Sequence, residues 1–316
     1  MELRKKKRWR VRGEMKHHPL RGIVLKLGAT LTFSLMYAIL KLVGNVPLGE
    51  VVFFRGFFAL FPLFVFSFVS VGPMKVIRTR RPGWHIARSA AGVSSMFLNF
   101  GAVKLLPLAD LTAFTFVAPI FAVVLAALML RERVGPYRGF AVVAGFAGVL
   151  LMLEPHGGVM HIVASGFTSG AAMAIGGACL SAFVVVFIRQ MSSTETSEAI
   201  VFYFMAMTSL AGAVAMIWSH APLTAMQATL LVLCGLMGGF GQLCMTYCYR
   251  YAEPSLLAPF DYVSMVWAVL LGYFVFAEIP AALVMAGSAV VIAAGLFIAW
   301  RERHWHLAPI PPSQPL

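Results

Sequence analysis

An all-α polytopic membrane protein, with ten transmembrane helices arranged as two inverted five-helix repeats, is the fold class this sequence of 316 residues predicts. Three observations carry that expectation. Hydrophobic residues make up 60% of the chain and charged residues 12%, about half the charged share of a soluble domain. Apolar stretches long enough to cross a hydrocarbon core recur along it, and none shows the short alternating pattern of a membrane barrel. The third observation is the distribution of lysine and arginine between the connecting segments.

Residues 1–21 form a basic tail holding nine of the 25 Lys and Arg, from Arg4 to Arg21. Such an arm holds anionic lipid at the cytoplasmic leaflet and sets orientation. The net charge of +13 therefore points to membrane lipid and away from nucleic acid, since no folded basic face accompanies it. The apolar stretch that follows is too long for a signal-peptide core and lacks a small-residue cleavage site. The arm is expected to be retained as a disordered cytoplasmic tail. Apolar spans then follow at approximately 22–43, 51–70, 84–104, 107–130, 138–153, 162–188, 199–218, 227–250, 255–276 and 280–300. The third and fourth are parted only by the turn at Pro107. Residues 301–316, with Ala308-Pro309-Ile310-Pro311-Pro312, read as a Pro-rich cytoplasmic tail.

With the N-terminus inside, twenty Lys and Arg fall on inside segments and Lys104 alone on an outside one. Lys26, Lys41, Arg55 and Arg88 lie within spans. A miscounted helix would scramble that partition, so it supports ten spans with both termini cytoplasmic.

The halves read as one unit used twice, residues 22–153 and 162–300. An offset of 148 aligns Gly28 with Gly176, Lys41 with Arg189, Glu50 with Glu198 and Phe54 with Phe202; an offset of 146 aligns Glu132 with Glu278. Five spans is an odd number, so the second unit is inverted relative to the first. Inverted repeats place a substrate site near mid-membrane and work by alternating access, which points to a secondary transporter.

At these residues a family resemblance becomes explicit. Pro47-Leu48-Gly49-Glu50-Val51-Val52-Phe53-Phe54-Arg55 resembles the second-helix signature of the EamA family of the drug/metabolite transporter superfamily. Ala118-Pro119-Ile120-Phe121 through Leu130-Arg131-Glu132-Arg133 resembles its fourth-helix ending, and Gly145-Phe146-Ala147-Gly148-Val149 its fifth-helix glycine pattern. Ala258-Pro259-Phe260-Asp261-Tyr262, through Gly272 to Glu278, resembles a ninth-helix version found in some members. The resemblance covers roughly residues 20 to 300. Tyr203 departs from it where a repeat of Arg55 belongs, and Met265 where the first half has Pro119. The resemblance implies an inner-membrane carrier of a small-molecule substrate, with a cavity lined by spans one, three, four, six, eight and nine. Members with the Ala-Pro-Phe-Asp-Tyr pattern resemble uptake carriers for S-adenosylmethionine or riboflavin, and others export amino acids; a homodimer stays open.

Catalytic and cofactor signatures are absent: no H-E-x-x-H, G-x-S-x-G, Walker A loop or glycine-rich dinucleotide turn occurs. A membrane-embedded enzyme remains the alternative class. Cys179, Cys234, Cys244 and Cys248 have neither C-x-x-C spacing nor a histidine at metal-ligand spacing, so neither a disulfide framework nor a metal site is implied. His17, His18, His85, His156, His161, His220, His304 and His306 fall in tails, loops or span ends, which argues against a proton-relay histidine.

Asp261 is the sharpest site candidate. It lies about seven residues into the ninth span beside Pro259 and Tyr262, where a carboxylate faces a bundle interior or a water-filled path. Burial raises its expected proton affinity, so it either carries a coupling proton or binds a substrate ammonium. The structural alternative makes it the partner of an intramembrane cation, Arg88 or Lys26. Arg88 suits a substrate carboxylate or phosphate, or snorkels to the surface. Arg55, about 140° around the helix from Glu50, is expected to bond another helix or to snorkel; Lys26 and Lys41 are expected to snorkel from opposite ends of span one. Asn99 and Gln242 are candidate polar contacts because a buried amide demands several partners. Tyr37, Tyr262 and Trp267 suit the wall of a flat or cationic ligand. Gly235 with Gly239, and Gly166 with Gly170, mark close helix packing.

Overall fold

The computed structural model describes residues 19–70, 76–77, 79, 81–118, 169–191, 194–251 and 257–304, with scattered positions between 121 and 156. The basic arm, parts of the expected fourth and fifth spans including Pro119, Glu132 between them, Gly166 and the Pro-rich tail lie outside the described residues. Among those described there is no strand. The helices are α1 Pro19–Val43, α2 Leu48–Phe57, α3 Leu60–Ser70, α4 Pro82–Val103, α5 Leu108–Thr115, α6 Ser169–Met191, α7 Ser197–Trp218, α8 Ala225–Tyr251, α9 Val263–Phe276 and α10 Ala282–His304.

Among the described residues, five segments are long and apolar enough to cross a membrane: Leu20–Val43, Leu48–Phe68, Ser169–Ile188, Ser197–Trp218 and Ala225–Cys248. The second runs through α2 and α3, which differ only by a turn between them. α4 is equally long but carries His85, Arg88, Ser89, Ser95 and Asn99, all buried, so it is the polar helix of the bundle. A polar stripe that is buried must face other helices, since lipid offers its groups no partners.

Helix ends follow local chemistry. Pro47 and Pro107 precede α2 and α5 in extended conformation, and Pro82 opens α4, because proline lacks the N–H a first turn leaves unused. Thr196 caps α7 by accepting a hydrogen bond from the Ala199 N–H at 3.2 Å. α9 ends on Ala277 at φ 54°, where the Ala277 and Glu278 amides return to Tyr273 and Gly272 carbonyls. That left-handed residue turns the chain sharply and aims Glu278 back at the bundle.

α1 lies along α8, α4 along α6, and α2 is wedged between α7 and α8. The α2 seam is built on glycine. A Cβ at Gly56 would stand 2.5 Å from the Ser209 amide, and one at Gly235 2.5 Å from the Phe54 carbonyl. A Cβ at Gly239 would stand 2.7 Å from Ala59 Cα, so the Gly235/Gly239 pair does mark close packing. α9 reaches α1 and α5, and its start is replaced by a tight 3-10 turn, Ala258–Tyr262.

Candidate functional site

The 3-10 turn at the start of α9 places Asp261 where the ninth span departs from regular helix. Its Oδ1 lies 2.6 Å from Lys26 Nζ of α1. The two ends of this pair differ. The Lys26 side chain is 0% exposed and Asp261 is 41% exposed. Lys26 also approaches the Met245 thioether of α8 at 3.2 Å. The cation thus belongs to the packed interior, whereas the carboxylate keeps an open edge. Of the two cations considered from the sequence, Lys26 is the partner and Arg88 is not.

Lys26 therefore does not snorkel, and neither does Lys41. Lys41 pairs with Glu278, donates to the Leu106 carbonyl at 3.0 Å, and sits 5.2 Å from the centre of the Phe276 ring. Glu278 Oε2 in turn accepts from the Leu108 amide at 3.1 Å. α1 is thus tied to the two ends of the ninth span by two lysine–carboxylate pairs. The reason is adjacency: α9 packs along α1, which brings a fixed acceptor to each lysine before the side chain reaches a surface.

Tyr262, next to Asp261, packs edge-on against Phe116 with centroids 5.2 Å apart. Trp267 is partly buried, and its indole N–H has no hydrogen-bond partner among the described residues. A small cavity between α1, α5 and α9 is lined by Ser34, Tyr37, Leu108, Leu111, Thr112 and Ala268. It contains Tyr37, one of the aromatic residues singled out from the sequence. Gln242 is partly buried on α8, and its carbonyl accepts from Thr246 Oγ1 at 2.8 Å.

α4 holds the other two candidates apart from that cluster. Asn99 donates to the Ser95 carbonyl at 2.9 Å and lies against Gly177 of α6, and its Oδ1 has no hydrogen-bond partner among the described residues. Arg88 is 2% exposed, with its guanidinium carbon 3.8 Å from the centre of the Phe204 ring of α7. Nε and one terminal nitrogen of Arg88 have no hydrogen-bond partner among the described residues. Arg88 is therefore held at a helix contact and is not at the surface with the basic loop. Arg55 meets one of its two expectations: it donates to the Gly238 carbonyl of α8 at 3.0 Å and touches the thioethers of Met36 and Met205.

Sequence reasoning missed His85, Glu195 and Asp110. His85 is 1% exposed with Nε2 3.6 Å from Glu195 Oε2, although its place near a span end reads as a surface position. Asp110 is buried in the first turn of α5, three residues past the turn that marks its span boundary. The signal available for both was an ionisable side chain on an element that also carries packing residues on either side.

The bundle has clear relatives. One solved crystal structure superposes with a TM-score of 0.65 at 18% identity, covering 90% of this chain and 98% of its own, which establishes a shared fold. The chain is 27% identical over 276 residues to the pseudopaline exporter of Pseudomonas aeruginosa, covering 86% of this chain and 94% of the exporter. It is 26% identical over 290 residues to the riboflavin transporter of Vibrio cholerae, at 90% and 94% coverage. It is also 26% identical over 286 residues to the S-adenosylmethionine uptake transporter of Rickettsia prowazekii, again at 90% and 94%. The model of the EamA-like transporter family matches residues 20–154 and a second time residues 168–300. The chain belongs to the EamA-like transporter family.

Proposed function

We propose that this protein is a secondary carrier of a small zwitterionic or aromatic metabolite, amino-acid-like, S-adenosylmethionine-like or riboflavin-like. It would sit in the inner membrane with both termini cytoplasmic, as ten helices in two inverted five-helix units, residues 22–153 and 162–300. It would move its substrate unchanged, by alternating access. The two successive family matches and the names of the relatives support this reading.

One observation carries the mechanism: a buried Lys26 ammonium is paired with a partly exposed Asp261 carboxylate. A proton or a substrate ammonium arriving at the open edge of Asp261 competes with Lys26. Neutralising Asp261 takes a counter-charge away from the buried Lys26 ammonium, which is strongly unfavourable. Occupancy at Asp261 is thereby converted into a weaker α1–α9 contact, the step an alternating-access carrier requires. Tyr262, Trp267 and Gln242 are proposed as the lining near Asp261, with Arg88 and Asn99 of α4 further along the path. A proteoliposome assay with an imposed proton gradient and a panel of labelled metabolites tests this. Accumulation of an unmodified solute supports the carrier; recovery of an altered product without net movement favours a membrane-embedded enzyme.

A further inference from the structure

We propose that His85 and Glu195 form a buried proton-binding site that ties the two halves of the protein together at one end of the bundle. His85 is the fourth residue of α4, in the first half. Glu195 lies in the turn before α7, in the second half, and its side chain is 2% exposed. Glu195 Oε1 accepts from Thr79 Oγ1 at 3.2 Å and from the Arg81 amide at 3.1 Å. Glu195 Oε2 faces His85 Nε2 at 3.6 Å. One carboxylate of the second half therefore receives three groups of the first.

The proton count at this site is open. Among the described residues neither ring nitrogen of His85 has a hydrogen-bond partner within bonding distance, yet a neutral imidazole always carries one N–H. A ring shift of a few tenths of an ångström would bring Nε2–H onto Glu195 Oε2. When the free ring nitrogen takes up a proton, the imidazolium and carboxylate form a charge-assisted hydrogen bond, and the tie tightens. When the proton leaves, the carboxylate loses the charge-assisted bond to His85, and the tie slackens.

Burial disfavours the charged ring, and the neighbours act on it in opposite directions. Tyr203 of α7 lies on the imidazole with centroids 4.5 Å apart, but its hydroxyl is committed to the Ile77 carbonyl at 2.7 Å. Arg88, one turn further along α4, is a fixed cation that opposes a second positive charge on His85, while Glu195 favours it. Imidazole is the side chain whose ordinary titration falls near physiological pH, so opposing neighbours leave it switchable. Proton binding stands on this geometry alone; its use in coupling rests on the carrier reading above.

Histidine-selective 15N NMR in lipid nanodiscs tests the site, with the His85 signal assigned by its loss in His85→Gln. The signal should titrate between about pH 5 and 9 in the wild type. Its midpoint should fall by about one pH unit or more in Glu195→Gln and rise in Arg88→Gln. In proteoliposomes, uptake of labelled riboflavin or S-adenosylmethionine driven by a pH gradient should fall about tenfold in Glu195→Gln, with gradient-free exchange kept within about twofold. A His85 that holds one protonation state across that range, or whose midpoint neither variant moves, overturns the site even where transport is intact. A titrating His85 with gradient-driven uptake undiminished in Glu195→Gln overturns the coupling. Titration and shift as expected, with neither probe moved by the wild type, uphold the proton site and count against the carrier reading. Should Glu195→Gln fail to fold, the wild-type titration and the Arg88→Gln shift decide alone.

Discussion

Lys26 of the first helix and Asp261 of the ninth span form an ion pair in which the cation is sealed and the anion is not. Removing the anion takes the counter-charge from a buried cation, whereas removing both charges does not. Asp261→Asn should therefore abolish gradient-driven transport and destabilise the protein by about 2 kcal/mol, below the ~3–5 of a fully buried pair because Asp261 is partly exposed. Lys26→Met combined with Asp261→Asn should recover the thermal stability without recovering transport. Thermal unfolding in detergent beside a proteoliposome assay checks both; a double variant no more stable than Asp261→Asn would remove the pair from the stability account.

The Lys41–Glu278 pair closes the other end of the same helix contact, with Leu106 and Leu108 backbone groups drawn into it. Glu278→Gln should loosen that end and raise the labelling rate of a cysteine placed at Leu105 by a membrane-impermeant maleimide, by about threefold or more. Exchanging the charges, Lys41→Glu with Glu278→Lys, should return the rate toward that of the single-cysteine parent.

Ala277 sits in the left-handed conformation at the end of α9, a position glycine occupies at no steric cost. Ala277→Gly should stabilise the protein by about 0.5–1 kcal/mol, read as a higher unfolding temperature. An unchanged or lower temperature would show that the turn carries no strain to release.

Gly212 and Gly28 separate packing from propensity. A Cβ at Gly212 runs into the Phe53 backbone, whereas one at Gly28 meets nothing within 4 Å. Gly212→Ala should cost about 2 kcal/mol or more, and Gly28→Ala should be neutral or gain up to ~1 kcal/mol. Unfolding midpoints of the two variants, measured side by side, check the contrast.

Both termini are proposed on the cytoplasmic side. A C-terminal reporter enzyme that folds only outside the cytoplasm should be inactive, and a fluorescent protein at the same position should be bright. Reporter activity at that end would remove the ten-span topology.

The helical, strand-free bundle was legible because lipid permits little else for a chain of this composition, and the two family matches fall close to the two repeat units read from the sequence. Asp261 was legible as an acidic residue deep in an apolar run. Its partner was narrowed to two cations, and the choice between them needed the packing of α9 on α1, which no local pattern encodes. Lys41 was misread for the same reason, since a lysine near a helix end looks like an anchor until a carboxylate arrives from the far end of the chain. His85 was misread because distance along a helix is a poor measure of depth: Tyr203 and the turn at Glu195 cover it from the second half. Arg55 was legible as a helix-to-helix contact, though its thioether neighbours were not.

The glycine seam that locks α2 between α7 and α8 also bears on how such a protein can change its cargo over evolutionary time. Backbone meets backbone there, so Gly56, Gly212 and Gly235 accept almost no replacement. The residues around Asp261 and the Tyr37 cavity hold one another through side chains, whose size and polarity are free to drift. On the carrier reading proposed above, a frozen seam next to a permissive lining would let new specificities arise by single substitutions without the scaffold unravelling, which would make the framework reusable for chemically unlike solutes.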